Sequence, residues 1–387
     1  MRTHHLLTAA VAAASLALVS PVQAETRVLQ TLIETRLLED NKASDIGIEY
    51  GGWIQGSVTY AFDKSNGDIE TRVFDFEDQD PTLNQVAFFV DKQLDTEKSF
   101  DIGGRLEMIW GGDARFTASN GLFDDDEDTQ EQFDLTQLYV DLVLIPGENS
   151  LTLRAGKFIT PLGYELVNPE ANAFYSHNLL FLLVPYSHTG VLLTYQASEN
   201  LSVFGGISRG WDQSLEDNND AIDFIGGGTF AFSEATEAIL SFTTGPEYAD
   251  DNSHYKTAIN LILSHQLSDQ IFIAGEATYI YDSNQGQNGD AANTYGVGAW
   301  IGYTLTDEVT LNGRASWLND TSRVDGFDTN VYEATVGVDI RPFVSDEIGK
   351  GLRFRPELRG DYAQDSIFDD GDDNLQFTAA IDAIFSY

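Results

Sequence analysis

The sequence predicts an all-β fold, a transmembrane antiparallel β-barrel of about sixteen strands with short periplasmic turns, long extracellular loops and one constriction loop. Three observations carry this. Apolar residues recur at every second position from about residue 46 to 387, the links between those segments alternate between long and short, and charges of both signs share the face opposite the apolar one.

Residues 1–24 contain Arg2, an apolar run from Leu6 to Val19 and the small-residue ending Val22-Gln23-Ala24, which is the pattern of a removable secretory signal. Without it Lys+Arg falls from 21 to 20 against 62 Asp+Glu, and the formal balance moves from −41 to −42. Such an excess repels phosphate, which argues against nucleic acid and anionic membrane surfaces as partners and favours cations. Solubility in a salty medium would explain the same number. Cysteine is absent, so an exported fold must be held by its core or by a closed ladder of strands. No later stretch approaches the roughly eighteen apolar residues of a spanning helix, which says nothing against strands.

Residues 25–41 place Val28, Leu29, Leu32, Ile33 and Leu37 at helical spacing, with Arg36 breaking the stripe. A short periplasmic helix or a frayed tether fits this segment, and the barrel domain is expected over 42–387.

In the first strand segment Ile48, Tyr50, Ile54, Val58, Tyr60 and Phe62 take one face, and Glu49, Gln55, Ser57 and Thr59 take the other. The pattern repeats with Val86, Phe88 and Val90, then with Ile102, Leu106, Met108 and Trp110 against Arg105 and Glu107. It repeats again with Leu138, Val140, Leu142 and Leu144 against Gln137, Tyr139 and Asp141. Further strands are expected near 188–197, 201–208, 221–232, 237–244, 255–265, 271–281, 294–305, 309–318, 331–341, 352–362 and 375–387. Long links near 63–81, 111–131, 209–220, 245–254, 282–293, 319–330 and 363–374 alternate with short ones, as at Pro146-Gly147-Glu148-Asn149 and Thr306-Asp307-Glu308. A barrel in a membrane sorts its connections this way and a Greek-key sandwich does not. Aromatic residues near strand ends (Tyr60, Trp110, Tyr195, Tyr303, Tyr362, Phe385) sit where interfacial girdles would lie. The last strand ends on Tyr387, as outer-membrane barrels commonly do.

The stretch 157–187 interrupts this rhythm for about thirty residues, and a loop that long inside a compact fold is usually functional. It is expected to fold into the barrel mouth and narrow a water-filled pore; a cap that merely packs over the barrel is the alternative. Candidate pore-lining or constriction residues are Arg105, Glu107, Asp141, Arg154, Lys157, Glu165, Glu276, Arg314, Glu333, Arg353, Arg355, Glu357 and Arg359. Basic and acidic rows on opposite walls would set a transverse field. Pairing along one wall would only stiffen it.

The acidic stretches 124–128, 217–220 and 369–374 offer oxygen ligands of the kind that suit Ca²⁺ or Mg²⁺, with Asp124, Asp126 and Asp128 as weak metal candidates. None has the EF-hand spacing, a solvated acidic rim is the plainer reading, and no cofactor is expected. An enzyme would have to use His177, His188, His254 or His265. Ser176-His177 and Ser187-His188 are neighbours in sequence, but no Gly-x-Ser-x-Gly elbow is present, so no catalytic residue is assigned.

The central segment, roughly 154–219, resembles the OmpL-like family of outer-membrane beta-barrel porins. The matching residues are Arg154-x-Gly156-Lys157-Phe158, Pro161-x-Gly163-Tyr164-Glu165, Asn168, Asn172, Tyr175-Ser176, Pro185, His188-x-Gly190, Gly210-Trp211-Asp212 and Asp217-Asn218-Asn219. The resemblance implies a porin but no particular solute. The expectation is therefore a passive outer-membrane channel for ions and small hydrophilic solutes, cation-preferring, surrounded by outer-membrane lipids. By analogy with porins of this size it would be a homotrimer. A barrel hydrolase and a plugged structural or adhesin barrel are the alternatives.

Overall fold

Strands that offer an oily face to hydrocarbon must also pair their backbone groups on both edges, because an open edge in lipid leaves donors and acceptors without partners. A row of such strands has to close on itself. The computed structural model describes residues 47–62, 69–124, 130–285, 289–320, 328–346 and 348–387. The expected signal 1–24, the segment 25–41 and the start of the 42–387 domain lie outside the described residues.

The strand segments are β1 (Ile48–Gly51), β2 (Trp53–Ala61), β3 (Thr82–Lys92), β4 (Ile102–Gly111), β5 (Gln132–Ile145), β6 (Leu151–Ile159), β7 (Ser187–Ser198), β8 (Leu201–Ser208) and β9 (Asp223–Ser233). They continue as β10 (Thr236–Tyr248), β11 (Asp251–Gln266), β12 (Ile271–Asp282), β13 (Ala292–Thr306), β14 (Val309–Asn319), β15 (Asn330–Ile340), β16 (Leu352–Ala363) and β17 (Leu375–Ser386). From β2 onward each pairs antiparallel with the next, and β17 pairs back with β2, Ala379 opposite Tyr60 and Ile384 opposite Gln55. The segment β1 continues β2 past Gly52 and pairs with β3, so the sheet is a closed barrel of 16 antiparallel strands. Gly52 interrupts that first strand because its N–H and C=O bond the backbone of Tyr387 at 3.0 and 2.9 Å. A Cβ there would lie 2.0 Å from the Ala87 carbonyl oxygen.

The two faces divide as the alternation requires. Ile54, Leu138, Val140, Leu193, Leu240, Leu261, Val336 and Leu358 are exposed on the outside, while Gln55, Glu107, Asn260, Arg314, Glu333, Arg355 and Arg359 are buried on the inside. No helix among the described residues is long and apolar enough to cross a membrane.

The structure departs from the expected connections in one place. The long link expected at 245–254 is a tight turn, because β10 runs on to Tyr248 and β11 starts at Asp251. Both faces of this hairpin are polar near its tip, at Thr244, Glu247, Asp251 and His254; where neither face meets hydrocarbon, alternation vanishes although pairing continues. The expected 111–131 loop contains a short helix, α1 (Ala114–Thr117).

The apolar core lies inside the barrel, between wall and loop. Leu162, Leu179, Leu180, Leu183 and Val184 of the loop pack on Ala258, Ile280, Leu318, Val331 and Ala363 of β11, β12, β14, β15 and β16, with Phe368 joining from the loop after β16.

Candidate lumen constriction

Residues 160–186 enter the barrel from the end of β6 and return to β7, and the neck is closed by the Thr160 N–H on the Tyr186 carbonyl at 3.0 Å. Three asparagines shape the loop. Asn168 caps the 3₁₀ turn Pro169–Ala171 by accepting from the Glu170 N–H, and Asn178 caps Leu179–Leu183 by accepting from the Phe181 N–H. Asn172 clamps Leu166 on both its N–H (2.9 Å) and its carbonyl (2.6 Å).

The loop docks on one wall through buried arginines. Arg314 donates to Glu165 (2.8 Å), the Ser176 carbonyl (2.5 Å) and Glu333 (3.2 Å). Arg353 donates to the Glu170 and Asn172 carbonyls at 2.9 and 2.8 Å, and Arg355 to those of Pro169 and Asn172 at the same distances. Arg359 reaches the His177 carbonyl at 2.6 Å. Glu357 works in the opposite sense, accepting from the Tyr175 and Ser176 N–H groups. Glu276 holds Asn260, whose amide oxygen accepts from the Gly163 N–H. On β3 and β2, which continue the same wall past β17, Gln85 donates to the Val167 carbonyl at 3.0 Å and Ser57 to the Tyr175 hydroxyl at 2.6 Å. The loop therefore bridges β2 and β3 to β11–β17.

The loop after β2 joins it. Arg72 ion-pairs with Asp75 and bonds Glu357 at 3.1 Å, Arg359 bonds the Thr71 carbonyl, and the Phe74 ring contacts Phe116, His177 and Phe181. Burial lowers the Arg72 guanidinium to about 10. Burial would raise Glu165, but Arg314, His177 and the Asn178 N–H hold its carboxyl down at about 2. Asp212, which accepts from the Ser187 and Tyr186 N–H groups and so ties the neck to the next loop, is pushed up to about 6 by burial.

Opposed rows of acid and base are not what the geometry shows. Each arginine of β14–β16 has an acid on its own wall: Arg314 with Glu333, Arg353 with Asp339 at 2.8 Å, Arg355 with Asp382 at 2.5 Å and Arg359 with Asp361 at 2.7 Å. Register sets Arg314, Arg353 and Arg355 beside acids of neighbouring strands, and Arg359 pairs with Asp361 two residues on along β16, on the same face. Arg105, Glu107, Asp141 and Arg154 also pair, as Arg105–Glu107 (2.5 Å) and Arg154–Asp141 (2.9 Å), but on β4–β6, away from the docked wall. Lys157 is buried against Asp134 at 2.9 Å.

Arg105, Asp91, Asp141 and Arg154 keep 20%, 15%, 16% and 18% of their side-chain surface, whereas Arg314 and Arg359 keep 0% and Arg353 keeps 9%. Solvent thus reaches the β3–β6 wall. Sequence reasoning missed Arg72 and Asn178, and it named Asn168 and Asn172 without giving them a role; the available signals were a lone arginine between Glu70 and Asp75, and an asparagine directly ahead of the apolar run Leu179–Leu183.

His177 does stand beside an acid, 3.5 Å from Glu165. It is buried and stacked on Phe181 at 3.7 Å, and the adjacent Ser176 hydroxyl accepts from Arg314. His188 is buried against Thr160, and His254 pairs with Asp251 at the long-loop end. Of the weak metal candidates, Asp124 accepts from the Gly121 N–H, and Asp126 and Asp128 lie outside the described residues. Among the described residues no three acid or histidine groups gather as metal ligands.

The barrel superposes on several solved structures. These include the outer membrane channel DcaP of Acinetobacter baumannii (TM-score 0.58, 12% identity, 88% of this chain and 97% of that one). Pseudomonas putida OprB gives a TM-score of 0.57 at 12% identity, covering 89% and 95% of the two chains. An anion-selective porin from Comamonas acidovorans gives 0.56 at 10% identity, covering 88% and 99%. At these identities the likeness is one of fold. Comparison with curated proteins finds no match. The profile of the family described as "Putative beta-barrel porin-2, OmpL-like" matches residues 47–387, well beyond the central segment that carried the resemblance. The chain therefore belongs to the OmpL-like beta-barrel porin-2 family and is an outer-membrane protein of porin type.

Proposed function

We propose that this porin is a passive diffusion channel for ions and small hydrophilic solutes, with the path running between the docked loop and the β3–β6 wall. The observation that carries it is the contrast between the two walls. Arginines of β14–β16 are sealed under the loop, whereas Asp91, Arg105, Asp141 and Arg154 retain solvent contact. A barrel of this width leaves space that its own lumen side chains cannot fill, and that space holds water.

Cation preference belongs to the same reading. It is supported by the charge of −41 and by acidic residues in the long loops, including Asp217, Asp220, Asp369, Asp370, Asp372 and Asp373. The basic lumen groups are paired with acids, so they leave little positive potential to oppose it. Mobile divalent cations would collect at that rim without a fixed site, and assembly as a homotrimer is the oligomeric form proposed with it. Purified protein in a planar bilayer should give discrete conductance steps, and a salt gradient should give a reversal potential of cation sign. Insertion without steps overturns the channel. A chloride-favouring potential overturns the preference alone, and cross-linking that stops at monomer overturns the trimer.

A further inference from the structure

The wall left open by the loop is not uniform, and its charges are held in an unusual way. Asp91 faces Arg105 across β3 and β4, Arg105 faces Tyr139 across β4 and β5, and Asp141 faces Arg154 across β5 and β6. The Arg154 guanidinium lies over the Tyr139 ring at 3.8 Å, and that of Arg105 over Phe89 at 4.5 Å. Aromatic stacking of this kind fixes a guanidinium flat and leaves its edges to bind.

Only one edge of Arg154 is taken. Asp141 binds its Nε and Nη2 at 2.9 Å each, which leaves the Nη1 edge outside that pair on a side chain that keeps 18% of its surface. Asp91 is held loosely, since its contact with Arg105 Nη1 is 3.6 Å, too long for a hydrogen bond. The polar contacts of the loop go to β2, β3, β7, β11, β13 (Trp300 to Glu165), β14, β16, β17 (Ser386 to Glu170) and the loop after β8, and none goes to Asp91, Arg105, Asp141 or Arg154. No charged residue other than Asp223, Glu237 and Glu247 occurs in β7–β10, so the strand residues of both signs on the open side cluster at this patch.

We infer that this patch is a recognition site for zwitterionic solutes of the amino-acid type, the solute carboxylate on Arg154 Nη1 and its ammonium on Asp91. This rests on the channel reading above and names the solute class for it. A simple cation or anion is attracted by one member of the patch and repelled by its neighbour. A dipolar solute is attracted by both, and partial desolvation strengthens each contact relative to water. Tyr139 and Phe89 supply apolar surface for the carbon between the charges.

Swelling of proteoliposomes in isosmotic glutamine and in ribitol, a neutral polyol of similar size, tests the inference, with planar-bilayer steps in KCl recorded on the same preparation. Glutamine should enter about two- to fivefold faster than ribitol, the scale set by partly exposed charge contacts. That ratio should fall to about one in Asp91→Asn and in Arg154→Gln, read as a ratio so that any change in overall pore size cancels. Arg154→Lys, which keeps the charge on the wall, should retain part of the excess. Equal entry of the two solutes into wild-type vesicles that show KCl steps overturns the inference and leaves the channel standing. Absence of KCl steps overturns both.

Discussion

At the scale of single residues, the decisive groups are the arginines beneath the loop, above all Arg314. Its guanidinium is buried and joins Glu165 of the loop to Glu333 of the wall. Removing one member of a buried ion pair leaves the other charge without compensation, a cost of about 3–5 kcal/mol. Arg314→Gln should therefore undock the loop while β14 keeps its ladder with β13 and β15, and the measurement is larger, noisier single-channel current from a barrel that still migrates as folded on unheated gels. Glu165 adds a pH dependence whose sign follows from its lowered value. Its carboxyl is held at about 2 against an ordinary 4.5, so its contribution is complete above pH 4.5 and is lost as pH falls toward 2. Asp212 acts oppositely: raised from 3.8 to about 6, it costs least below 3.8 and most above 6. Current noise should accordingly rise as pH drops below 4.5, and Glu165→Gln should be noisy at every pH; a wild-type trace equally quiet at pH 3 and pH 6 would contradict the latch.

At the scale of elements, the loop and its sockets were made for one another. Gly296 of β13 faces the lumen, and a Cβ there would lie 2.8 Å from Leu180 Cγ; at Gly337 of β15 it would meet Phe174 at 3.1 Å. Glycine here makes room for the loop. Overpacking of this kind costs about 1–3 kcal/mol, so Gly296→Leu should displace Leu179–Leu183, raise unit conductance and leave the barrel intact; unchanged conductance would show that this turn does not set the aperture. The same elements show what could be read beforehand. Alternation assigned Arg314, Arg353, Arg355 and Arg359 to the wet face, because parity along a strand is a local property. The partners of Arg314, Arg353 and Arg355 could not be read, since opposing a given acid depends on the register between β14, β15, β16 and β17, whereas Asp361 lies two residues from Arg359 on the same face; the main-chain carbonyls of 169–177 carry no side-chain signal. The position of the interruption at 157–187 marked the loop, but only coordinates show it crossing to Gln85. The hairpin tip at Tyr248 and Asp251 escaped notice because pairing there outlasts the apolar pattern.

For the whole molecule, long-range electrostatics and short-range contacts should separate with ionic strength. Asp370, Asp372 and Asp373 are exposed in a long loop, so on the proposed reading their attraction for cations would act through solvent. The Debye length is about 10 Å at 0.1 M salt and about 3 Å at 1 M, and rim charges within the larger reach fall outside the smaller one. On the proposed path, charges on the β3–β6 wall would contact the solute directly and be screened far less. Cation preference measured by reversal potential should decline steeply between 0.1 and 1 M KCl, whereas discrimination arising at Asp91 and Arg154 should persist. Replacing Asp369, Asp370, Asp372 and Asp373 together by asparagine should reproduce the high-salt selectivity already at 0.1 M and leave unit conductance at 1 M unchanged. A preference that is constant across salt, or indifferent to those four substitutions, would move the origin of selectivity from the rim to the wall itself.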